Sequence, residues 1–75
     1  MNRTMLLEYR KLVLHQVAHY ERSVEQQKKL IEGLSPNDQA IIGAKEYLTA
    51  LETALALNVA HRDLLEQELA ASDPE

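Results

Sequence analysis

The stretch EGLSPND, residues 32–38, is the only strong helix-breaking punctuation in this chain of 75 residues. Leu, Ala, Glu, Gln and Lys dominate on either side, and these residues lose little conformational freedom on entering a helix. Two long helical runs around one break leave few architectures, because a short connection makes consecutive helices antiparallel neighbours. The expected fold is all-α, a two-helix antiparallel hairpin. Gly33 suits a left-handed helix C-terminus, Ser35 an N-cap and Pro36 the first helical position, and Asp38 completes a capping-box-like spacing. The boundaries that follow are a first helix over about 4–32, a turn at 33–35, a second helix over about 36–70 and a disordered tail at 72–75.

Apolar residues in the first run recur at alternating spacings of three and four, as one face of a helix requires: Leu6, Tyr9, Val13, Val17, Tyr20, Val24 and Ile31. The second run offers Ile41, Ala44, Leu48, Leu51, Leu55, Leu65 and Leu69. Folding at 33–35 would set Tyr20 near Leu48, Val13 near Leu55 and Leu6 near Arg62, with Arg62 within reach of Glu8. The hairpin seam is therefore expected from Leu6, Val13, Val17, Tyr20, Val24, Ile31, Ile41, Leu48, Leu51 and Leu55.

That seam does not use all the apolar side chains. Leu57 lies nine residues beyond Leu48, about half a circle around a helix that advances about 100° per residue. It cannot share the face that buries Leu48, and Leu64 repeats it one heptad later. The first helix carries Met5 and Leu12 on one flank of its stripe and Leu7, Leu14 and Ala18 on the other, with Leu7, Leu12 and Leu14 clustered in its N-terminal half. Each large side chain removed from water contributes roughly 1.5–3 kcal/mol, so several left exposed together favour association. A chain this short, with no cysteine to staple it, is expected to be completed by a partner chain or by self-association. Leu7, Leu12, Leu14, Leu57 and Leu64 are the expected partner-facing residues.

Charge and chemistry narrow the function classes. A net charge of −4 argues against nucleic acid and against anionic membranes, and no apolar run approaches the ~20 residues of a membrane span. His15 and His19 have a chelating spacing but stand on the polar back of their helix without a third ligand, so no metal is expected. His61 reads as an edge residue at an interface and Glu52 as a snorkelled edge residue. There is no cysteine nucleophile and no Ser, His and Asp arrangement, and a hairpin offers no concave substrate site. The expectation is a non-enzyme with no catalytic residue and no cofactor.

The run from Lys28 and Lys29 through Gly33 and Gln39 to ALETALAL at 50–57 resembles the YscE-type small co-chaperones of type III secretion needles, over roughly residues 10–61. Here the turn carries Ser35 and Pro36 in place of a glycine pair, and RDLLEQEL extends the second helix. The resemblance implies a bacterial cytoplasmic hairpin that binds a tetratricopeptide-like chaperone. Together they would hold the needle subunit soluble and unpolymerised before export. Two other readings of the residues stay open: a homo-oligomeric four-helix-bundle scaffold or regulator, and a phage-type helical inhibitor of a host protein.

Overall fold

The computed structural model describes residues 2–72 and consists of two helices, α1 (Arg3–Glu32) and α2 (Ala40–Ala71), packed as an all-α hairpin. The tail expected to be disordered lies outside the described residues except for Ser72, which is held in place by its neighbours. The hairpin is a rod, 59 × 13 × 13 Å.

α1 starts one residue earlier than expected because Asn2 caps it, its side-chain Oδ1 accepting from the Met5 N–H at 2.8 Å. At the other end Gly33 does not adopt the left-handed conformation expected of it; its φ is −80° and its N–H donates to the Lys29 and Leu30 carbonyls. The helix runs out in a tightened last turn instead, with the Leu34 N–H on the Ile31 carbonyl.

The start of α2 also departs from expectation. Ser35 and Pro36 do not open the helix. They form a turn in which the Asp38 N–H donates to the Ser35 carbonyl at 2.9 Å, with Pro36 and Asn37 at its centre. Proline's fixed φ serves the second position of such a turn as well as it serves a first helical position, and Asn suits the third. Asp38 then takes over the capping role, its Oδ1 accepting from the Ala40 N–H at 2.9 Å. The connection is thus residues 33–39 and not 33–35.

The longer connection shifts the pairing. A hairpin closed at 33–35 sets Gln27 opposite position 41 and Arg3 opposite position 65. Instead Gln27 Nε2 donates to the Ala44 carbonyl at 3.0 Å, and Arg3 Nη1 to the Leu69 carbonyl at 3.2 Å. Leu6 accordingly joins a cluster with Leu65 and Leu69 and does not sit against Arg62. Arg62 pairs with its neighbour Asp63, and Glu8 with Lys11.

The core is one layer deep. Leu6, Val13, Val17 and Val24 of α1 and Leu51, Leu65 and Leu69 of α2 are buried, each keeping 5–7% of its surface exposed. Tyr20, Ile31, Ile41, Leu48 and Leu55 of the expected seam are half-buried. The chain exposes 5669 Å², against about 4,700 Å² for a compact monomer of this mass. Asn58, half-buried in the seam, satisfies its amide on the Ala54 carbonyl of its own helix at 2.8 Å. At the open end Arg3 also donates to Ser72 Oγ at 2.7 Å, so one guanidinium holds the C-terminal turn of α2.

Candidate interaction surface

The seam positions follow a heptad on both helices: Leu6, Arg10, Val13, Val17, Tyr20, Val24, Gln27 and Ile31 on α1, and Ala44, Leu48, Leu51, Leu55, Asn58, Arg62, Leu65 and Leu69 on α2. A residue one position before a seam residue stands about 100° to one side of it, and a residue one position after stands about 100° to the other. Antiparallel helices have opposite sense when viewed from one end, so the preceding residues of both helices fall on the same side of the hairpin. The rings of Tyr9 and His61 verify the construction. Both precede seam residues, and they meet edge to face with centroids 5.1 Å apart.

That side carries Met5, Tyr9, Leu12, Gln16, His19, Ser23, Gln26 and Leu30 from α1, and Gly43, Tyr47, Ala50, Ala54, Leu57, His61, Leu64 and Glu68 from α2. Glu68 is its one acidic residue, and it has no Lys or Arg. The following residues make the opposite side, where Lys11, Glu21, Glu25, Lys28 and Glu32 face out from α1 and Lys45, Glu52, Asp63 and Glu66 from α2. Charge is therefore kept off one side of the rod, with Glu8, Arg22, Lys29 and Glu46 on its outer edges.

The expected partner-facing residues divide between the two sides. Leu12 (67% exposed), Leu57 (67%) and Leu64 (59%) share the uncharged side, where Met5 (55%) and Tyr9 join them. Leu7 and Leu14 follow seam residues and belong to the charged side. Leu7 is half-buried there against the core with Val59 and Leu55, and Leu14 is 41% exposed. Met5, Tyr9 and Tyr47 were not among the expected partner-facing residues. The signal that identifies them is the second heptad displaced by one residue from the first.

Among the described residues there is no cavity and no group of three His, Asp or Glu side chains placed to hold a metal ion. His15 and His19 are exposed, and His19 rests edge-on against Tyr20 at 5.2 Å. Glu52 is exposed on the charged side. No described helix is long and apolar enough to cross a membrane. The surface with a distinctive composition is thus the uncharged side, where Met5, Tyr9, Leu12, Leu57, His61 and Leu64 cluster in the open half and Leu30 and Tyr47 stand exposed toward the turn. An apolar strip at three- and four-residue spacing is suited to receiving another helix. No protein-family model matches the chain, and no curated protein or solved structure shows a significant likeness to it.

Proposed function

We propose that this protein is a non-enzymatic co-chaperone that binds a helical-repeat chaperone and, through it, helps keep a type III secretion needle subunit soluble in the bacterial cytoplasm before export. The observation that supports this reading is the uncharged side, where Leu12, Leu57 and Leu64 stand more than half exposed beside Met5. A stabilising accessory of an assembly-prone helical subunit requires such an apolar face and no reactive group. The hairpin plan and the run from Lys28 to Leu57 agree with the E-type co-chaperones it resembles.

The test is co-expression with a helical-repeat chaperone of a type III secretion system from the same genome, with the needle subunit as a third component. Wild-type protein is expected to co-purify with that chaperone and to raise the yield of soluble needle subunit, and Leu57→Asp to abolish both effects. A wild-type chain that does not bind it, and leaves the needle subunit's solubility unchanged, refutes the proposal.

A further inference from the structure

We propose that the uncharged side of the hairpin is closed, in the free protein, by the same side of a second copy of this chain, giving a four-helix bundle in which the open halves of two hairpins meet. The inference goes beyond the co-chaperone reading and concerns the pure protein alone.

Charge points to the occupant. Two copies of a chain with net charge −4 repel unless the ionised groups are kept from between them. Nine Asp, Glu, Lys and Arg residues of the two helices stand on the opposite side, and the uncharged side has only Glu68, near its end. A face meant for a strongly charged partner would carry the complementary charge, and this one carries almost none. A neutral apolar face related to itself by a two-fold axis is self-complementary without any electrostatic cost.

Area supports the same occupant. The chain exposes about 1,000 Å² more than a compact monomer of its mass. A standard stable interface takes about 800 Å² from each partner. One further copy therefore takes up most of that surplus.

The distribution of apolar residues sets the alignment. Leu12, Leu57 and Leu64 surround the Tyr9–His61 pair in the open half, whereas toward the turn Gln16, Ser23 and Gln26 share the same side with exposed Leu30 and Tyr47. Laying the open half of one copy over the turn half of the other would set part of the leucine cluster against amides and hydroxyls. Open half against open half, related by a two-fold axis that crosses the rods at the level of His61, buries leucine on leucine and sets His61 close to its own counterpart.

The experiment is light scattering and sedimentation on the purified protein, with single substitutions on each side. The expected mass is that of two chains at micromolar concentration. Leu57→Asp is expected to raise the dissociation constant by about a hundredfold or more with helix content retained. Leu14→Asp, on the charged side, is expected to leave it unchanged. A single-chain mass from micromolar to millimolar protein overturns the proposal, as does a dimer broken by Leu14→Asp and indifferent to Leu57→Asp. Should Leu57→Asp lose its helicity, cross-linking decides. With oxidised glutathione as oxidant, His61→Cys is expected to form an intermolecular disulfide and Asp63→Cys to form none, and the reverse pattern refutes the arrangement. A dimer with no chaperone partner, or a monomer that binds one, separates this inference from the functional reading.

Discussion

Leu64 and Leu65 are neighbours of identical chemistry with opposite surroundings, and truncating each in turn measures the seam directly. Leu65 is 6% exposed and packs with Leu6, Val13, Val17 and Leu69, whereas Leu64 is 59% exposed on the uncharged side. Truncation of a buried leucine costs about 2–5 kcal/mol, the larger values arising where the cavity stays sealed. Here every core side chain touches the surface of a single layer, so water and neighbouring side chains relax into the gap. The expected cost of Leu65→Ala is about 2–3 kcal/mol. A chain of 75 residues has a total stability of roughly 4–11 kcal/mol, so this is a large fraction. It corresponds to a fall in Tm of about 8–24 °C. Leu64→Ala is expected to change the stability of the single chain by less than about 0.5 kcal/mol. Urea and thermal melts followed by circular dichroism supply the comparison, run at a dilution where the chain is monomeric. Equal losses for the two substitutions, or a larger one for Leu64→Ala, would mean that the helix faces are assigned wrongly and the uncharged side with them.

Three further outcomes follow from the ends of the helices. Arg3→Ala removes the guanidinium from the Leu69 carbonyl and Ser72, and is expected to cost about 1–2 kcal/mol. Amide hydrogen exchange should quicken over the last turn of α2 and not near the connection, and uniform quickening would contradict a local clasp. Asp38→Ala is expected to destabilise by about 1 kcal/mol because the Ala40 N–H loses its acceptor, and Ser35→Ala by less; the opposite ranking in chemical denaturation would restore Ser35 as the cap. Gly33→Ala should stabilise by about 0.4–1 kcal/mol, since φ is −80° and an added Cβ meets the Leu30 carbonyl oxygen at an ordinary 3.5 Å. A lowered melting temperature would indicate a left-handed Gly33.

The faces of the two helices were legible in the sequence, and their register was not. Heptad spacing depends on residues within each run, and Leu6, Val13, Val17, Val24 and Leu51 are all buried. Register depends on where the connection ends, and SPND satisfies two rules at once, as a helix start or as a turn followed by an Asp cap. The turn prevails, and facing partners move by three and four residues, close to one helical turn. A displacement of that size returns the same face to the seam, which is why the core residues survive a wrong pairing. Side was legible within one helix and not between the two. Leu12 and Leu14 straddle Val13, their opposite flanks follow from spacing alone, and they stand on opposite sides of the rod; which residues of α2 share each side does not follow from spacing within one helix. The offset of one residue before or after the seam decides this, together with the reversed sense of antiparallel helices.

The single-layer seam also gives the fold a direction in time. The Gln27–Ala44 contact closes a loop of 17 residues, and the Arg3–Leu69 contact one of 66. By the logarithmic dependence of loop entropy on length, the outer contact is harder to form from the open chain by about 1.2 kcal/mol. Zippering from the bend toward the termini is the cheaper route, yet the densest cluster, from Leu6 to Leu69, lies at the far end. The molecule resembles a pair of tongs whose grip is furthest from the hinge: quick to begin closing, and secured only when the tips meet. Pulse-labelled exchange during refolding should record protection advancing from residues 24–51 toward the tips, and a reversed order would place the nucleus in the distal cluster.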